Sequence, residues 1–193
     1  MESTYQISFQ INTSFYKDDA YQGLTEINGY IKEESSDEVV GEISMYLVKR
    51  FNEDNNSLEM LFDANDHLSQ YINWIKDEED NGFDNIPFFS KVLVIDYIKI
   101  SKKHRGNNLS LYAIYQIMNL FGPEEIISIL IPSAMQFNGD APLSKEFKNI
   151  EKIDADKKLE EHYKKIGYIP IPSYNLMLLD GTTFKSSINN FLE

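Results

Sequence analysis

The segment IDYIKISKKHRGNNLSLYAIYQIM, residues 95–118, joins an apolar run to a helical pattern through Lys99, Lys102, Lys103 and Arg105, and then through Gly106, Asn107 and Asn108. A basic turn between a strand and a helix N-terminus is a recipe for holding a pyrophosphate. The first amides of a helix have no internal partner and point outward, with the positive end of the dipole behind them. A turn with few side chains in the way lets phosphates approach those amides. Lysine and arginine add attraction at range. A solvated basic turn that binds nothing is the competing reading of the same cluster. Just upstream, Asp96 interrupts the apolar run VLVIDYIKI, and strand alternation places it on the face of Ile98 and Ile100. An unpaired carboxylate is costly to bury, so its presence there needs a chemical or structural reason.

The elements that must position these residues are legible from period. TYQISFQIN (4–12) alternates Tyr5, Ile7, Phe9 and Ile11 with polar residues, the pattern of a half-buried strand. LTEINGYIKE and VVGEISMYLVKR read as a hairpin turning at ESSDE, with a loop at 53–57. Leu68, Tyr71, Ile72 and Ile75 mark a helix over 64–78. Residues 92–100 form a strand covered on both faces. A helix over 107–120 follows, with Leu109, Ala113, Ile117 and Leu120 inward and Gly122-Pro123 as its stop. EIISILI (125–131) is a buried strand, and an irregular segment runs to about 153. ADKKLEEHYKKIG is a helix with Leu159, Tyr163 and Ile166 on one face and Gly167 as its cap. YIPIP and YNLMLLD are closing strands. The order implies a mixed α/β (α+β) sheet flanked by helices, in a single domain over 1–193.

Composition narrows the functional classes. A hydrophobic fraction of 42% with 25% charged residues is that of a globular chain. The absence of cysteine excludes disulfides, thiolate metal sites and a cysteine nucleophile. His67, His104 and His162 have no zinc-ligand spacing, so no metal is expected; His104 and His162 read as surface residues. The opening MESTYQISFQ lacks the basic and apolar regions of a secretory signal, and the apolar stretches are too short to span a bilayer. A cytoplasmic protein without a membrane partner is expected. A net charge of −13 argues against nucleic acid as a partner.

The segment IKISKKHRGNNLSLYAI resembles the acetyl-CoA-binding motif of the GNAT-superfamily N-acetyltransferases, in which Arg/Gln-x-x-Gly-x-Gly/Ala opens a helix after a strand and short turn. Here the motif reads Arg105, Gly106, Asn107, Asn108, Leu109, Ser110. Asn108 stands where the family usually has Gly, and Ser110 where it has Gly or Ala. Asn tolerates positive φ better than other residues with a side chain, and Ser is small. LEEHYKKIGYIP is similar to a second family segment, giving Tyr163, Lys165, Gly167 and Tyr168, with Asp156 where the family often has Asn.

The resemblance implies a GNAT-like fold and transfer of an acetyl group from acetyl-CoA to a primary amine, which attacks the thioester directly. It implies that backbone groups of Ile98, Lys99 and Ile100 grip the pantetheine arm and that the amides from Arg105 through Ser110, with Gly106, Asn107, Asn108 and Leu109 between, hold the pyrophosphate. Lys102 and Lys103 would face the outer phosphates or only solvent. Tyr163 occupies the family's proton-donor position, against a role as a core aromatic. Asp96 would act as base, directly or through water, or would pair with a cation purely for structure. The acceptor is a small-molecule or protein amine, and neither it nor the oligomeric state is written in the sequence. A CoA-binding protein without catalysis, and an acidic protein that blocks a basic partner, are the competing functions.

Overall fold

The opening alternation becomes β1 (Tyr5–Thr13), in which Tyr5, Ile7 and Phe9 are half-buried and Gln6, Ser8 and Gln10 are exposed. The computed structural model describes residues 4–13, 24–49, 58–63, 65–81, 89–133 and 145–184. The hairpin is β2 (Leu24–Glu33) and β3 (Glu38–Lys49), joined where Asp37 takes a left-handed φ of 54°. β4 (Lys91–Ile100) and β5 (Ile126–Leu130) are the apolar strands, and β6 (Ile169–Ile171) and β7 (Leu176–Asp180) are the closing pair. Among the described residues these strands form one sheet in the order β1-β2-β3-β4-β5-β7-β6. Only β4 and β5 run parallel; every other neighbouring pair is antiparallel. The mixed sheet expected from the sequence is therefore observed.

Two apolar layers cover it. Leu93 and Ile95 of β4 pack with α3 (Leu109–Phe121), with Tyr163 of α4 (Lys145–Lys164) and with Ile166 in the turn after it. Val92 and Val94 face the other way, against Leu58 and Phe62 of α1 (Leu58–Asp63) and Trp74 and Ile75 of α2 (Ile72–Asp80). This two-sided burial is why β4 reads as an almost unbroken apolar run. Leu111, Ile114, Ile117 and Met118 fix α3 to the sheet, each fully buried. At about 1.5–3 kcal/mol per buried side chain, that anchorage holds the N-terminus of α3 in place. Gly122 (φ 78°) and Gly167 (φ 105°) end α3 and the turn after α4, as their positions in the sequence imply.

Three local expectations change. The helix over 64–78 is broken: the Asn65 side chain accepts from the amides of His67 and Leu68, at 2.9 and 3.3 Å. Such a side chain competes with the helical ladder. A 3-10 turn at Ser69–Tyr71 follows, and regular helix begins only at Ile72. Leu68, Tyr71 and Ile75 are nonetheless buried, so the apolar stripe survives the change in backbone. α4 starts at Lys145, well inside the segment expected to be irregular. Its apolar stripe is faint in sequence because positions such as Ile153 are exposed. Leu120 is 59% exposed rather than inward, because the buried arc of α3 centres on Ile114 and Ile117 and Leu120 falls at its edge. The loop expected at 53–57 lies outside the described residues. Among the described residues no helix is long and apolar enough to cross a membrane.

Candidate active site

The sheet comes apart where the sequence placed its chemistry. β4 and β5 pair from Lys91↔Ile126 to Ile95↔Leu130, and there the ladder stops. β4 continues to Ile100, still paired to β3 as far as Gly41↔Ile100. Among the described residues the edge of β4 from Asp96 to Ile100 therefore has no strand paired to it on the β5 side, since β5 itself ends at Leu130. A bulge sits at that point: Met45 pairs with Ile95 and Ser44 with Tyr97, so Asp96 has no partner across the ladder. Bulges bend a strand and increase its local twist. Strand residues Ile98 and Ile100 are half-buried and Lys99 is exposed.

The basic turn follows at once. Lys102–His104 form a 3-10 turn, Gly106 has φ 88°, and Asn108 has φ 53° and ψ 19° at the N-cap of α3. The prediction that Asn108 stands in for glycine at a left-handed position is met. Lys102, Lys103, Arg105, Gly106 and Asn107 are all exposed, so the outward amides at the start of α3 are flanked by cations. The turn is tied down from behind. Arg105 Nε donates to the Ile100 carbonyl at 3.0 Å. Asn107 Nδ2 donates to the His104 carbonyl at 3.2 Å and to the Tyr5 hydroxyl at 3.3 Å, and that hydroxyl shares a 3.2 Å hydrogen bond with His104 Nδ1. Tyr5 and His104 are thus struts of the turn, and His104 is only partly at the surface. Nothing in the residue pattern singles out Tyr5 beyond its place in β1, about a hundred residues away.

The second motif meets the first through a histidine. Ser110 Oγ and His162 Nε2 are 2.8 Å apart, joining the first turn of α3 to the last of α4. His162 is not the surface residue expected. Burial, with Lys165 adding to it, lowers its pKa to about 4, so the ring is neutral at pH 7. Lys157, Lys158, Glu161, His162 and Lys165 line an open pocket of about 390 Å³ along α4. Asp156 lies half-buried two turns upstream of Tyr163. Tyr163 is 7% exposed, its ring edge-on to Tyr168 at 5.9 Å, and burial pushes its phenol up to about 12. Tyr168 is itself fixed, because its hydroxyl and that of fully buried Ser128 on β5 are 2.6 Å apart.

Asp96 requires a correction. Ile98 and Ile100 pack in the layer under α3, but Asp96 faces the opposite layer, among Ser44, Tyr46, Tyr71 and His67. The bulge breaks the alternation on which the shared face depended. Burial raises the Asp96 pKa, against the lowering effect of His67 and of a hydrogen bond from Ser44. Its Oδ2 lies 3.2 Å from His67 Nδ1, and its side chain is 11% exposed where that of His67 is 59% exposed. Tyr71 donates its hydroxyl to the Ile95 carbonyl at 3.3 Å, and burial together with the Asp96 charge raises its pKa. His67 is the residue at this site that spacing did not single out.

Chemically, the described residues offer the outer edge of β4 at Ile98 and Ile100, a cationic helix N-terminus after it, a protonated phenol of α4 in the layer with α3, and a carboxylate–imidazole pair on the other face. No family model matches the chain, and no curated protein matches it. Among solved structures the chain is similar to one from the yellow fever mosquito Aedes aegypti, assigned as an insect arylalkylamine N-acetyltransferase 7, at 15% sequence identity and a TM-score of 0.41. The likeness covers 80% of this chain and 64% of that one, so the chain spans less than two thirds of that structure's length.

Proposed function

We propose that the protein is an acetyl-CoA-dependent N-acetyltransferase acting on a primary amine. The observation that carries this reading is the end of the β4–β5 ladder at Ile95, in a strand that then delivers the left-handed turn and the N-terminus of α3. The parts suit one extended ligand. Ile98 turns its backbone groups to the edge of β4 away from β3 and matches an arm built of amides, whereas Lys99, opposite Glu42, gives its own to the β3 ladder; Ile100 keeps a second carbonyl lone pair beside the one Arg105 uses. The amides from Arg105 to Ser110 match a pyrophosphate, and Lys102 and Lys103 match outer phosphates. Bound there, acetyl-CoA supplies an activated acetyl group. Tyr163 gives a proton to the departing thiolate, and the Asp96 pair lies across the sheet from it, on the side from which an amine would approach. The acceptor is a small-molecule or protein amine rather than nucleic acid, and the cytoplasm is the compartment that supplies the donor to a cysteine-free enzyme of this kind.

Melting temperature with and without acetyl-CoA tests the proposal. At a hundredfold excess over the dissociation constant, linkage gives about 2.7 kcal/mol. For a chain of this size that is a rise of roughly 5–10 °C. Adenosine and acetate should leave the transition where it is. A shift accompanied by no thiol release with any amine assigns the protein as a CoA binder without catalysis. No shift at millimolar acetyl-CoA rejects both.

A further inference from the structure

The place where β4–β5 pairing ends is bordered by both faces of the sheet, and a histidine stands at the face away from α3. Asp96 is the first residue of β4 beyond the last pair with β5, and His67 closes over it. The His67 ring stacks on Tyr46, with centroids 5.9 Å apart and planes at 29°. Its backbone is held by the Asn65 turn that breaks the expected helix, and its carbonyl accepts from Gln70. The imidazole is thus pinned through its ring, its carboxylate partner and its main chain.

Resting on the acetyltransferase reading, we infer that His67 takes the proton from the acceptor amine and that Asp96 is its positioning residue. The carboxylate is too covered to meet an amine, and the exposed member of the pair is the ring. A carboxylate at Nδ1 keeps the ring proton on that nitrogen and leaves Nε2 with its lone pair, while stabilising the imidazolium once a second proton arrives. Among the described residues the other titratable groups around the pair are Tyr46 of β3, Tyr71 of the 3-10 turn, Tyr97 of β4 and, further out through Tyr46 and Tyr97, Glu26 and Tyr30 of β2 and Glu42 of β3. All three phenols are shifted upward and stay neutral at pH 7, and among the described residues Asp96 is the carboxylate in contact with the ring.

The step balances as follows. The acceptor arrives as an ammonium ion and gives one proton to His67 Nε2. The freed nitrogen lone pair bonds to the thioester carbonyl carbon, and the carbon–sulfur bond breaks with its electrons on sulfur. A second proton leaves nitrogen as the amide forms and, through solvent, replaces the one that Tyr163 gives to sulfur. One proton ends on sulfur as the thiol of CoA, and the one on His67 passes to solvent.

Two measurements test this. In ligand-free protein, nitrogen NMR of the His67 ring should show the Nδ1-protonated tautomer when the ring is neutral, and Asp96→Asn should abolish that preference. With a panel of an arylalkylamine, a diamine and a lysine peptide, thiol release by His67→Ala should fall roughly 10²–10³-fold in kcat. Added imidazole should restore part of it, and the acetyl-CoA melting shift should be unchanged. An Nε2-protonated ring, a His67→Ala change confined to KM, failure of imidazole rescue, or a panel with no accepted amine each overturns the assignment. A wild-type protein with no acetyl-CoA shift instead removes the acetyltransferase reading beneath it.

Discussion

Replacing Asn108 by valine tests whether the left-handed turn is what presents the α3 amides to a ligand. Asn108 has φ 53° and ψ 19°, and its side chain makes no cap hydrogen bond to the helix. That left-handed φ is what valine cannot comfortably share. Holding a β-branched residue in that region costs on the order of 1–3 kcal/mol. In the free protein the turn relaxes to escape the strain, and a ligand must restore it. The dissociation constant then rises by roughly 5- to 150-fold. At the concentration that gave the wild type about 2.7 kcal/mol, the variant would be stabilised by only about 0.3–1.8 kcal/mol. Differential scanning fluorimetry at fixed acetyl-CoA reads this as a melting shift cut to two thirds or less. Asn108→Gly is the control, since glycine takes the same φ without strain and should keep the full shift. A valine variant with the wild-type shift would refute the role of the turn. A glycine variant as impaired as valine would move that role to the Asn side chain.

Tyr163→Phe keeps the ring in its contact with Tyr168 and deletes only the hydroxyl, so turnover of an accepted amine should fall by roughly 10²–10³ with melting temperature and acetyl-CoA binding nearly unchanged. With its pKa near 12 the phenol stays protonated through neutral and mildly basic pH, and wild-type turnover in the Phe variant, where chemistry limits the rate, would make Tyr163 a core aromatic. His162 gives a pH prediction. Its folded-state pKa of about 4 lies below the ordinary value of 6.5, so the unfolded chain binds a proton that the fold resists. The stabilising effect is complete above about pH 6.5 and is lost as pH falls through the window toward 4. Melting temperature should drop across that window more steeply in the wild type than in His162→Gln, and equal slopes would show that His162 is not buried in solution.

The strand at 92–100, the left-handed turn and both helix ends were legible because each is a local matter. Apolar residues covered on both faces, an Asn and a Gly where φ must be positive, and a Gly-Pro stop act within a few residues of themselves. The candidate cofactor turn, Arg105 to Ser110, belongs to that class, as does the inward side of Tyr163. What the tertiary structure decided involves partners far apart in the chain. The face of Asp96 depends on a bulge, and a bulge is a mismatch with β3 that no period in β4 records. The unpaired edge of β4 depends on where pairing with β5 ends, which is a property of two strands together. His162 looked exposed on its own helix until α3 brought Ser110 against it. His67 showed no spacing of interest because its partner is 29 residues away on another element. Local conformation follows from side-chain sterics and period. Register, bulges and the meeting of distant polar groups are fixed only when the whole sheet closes.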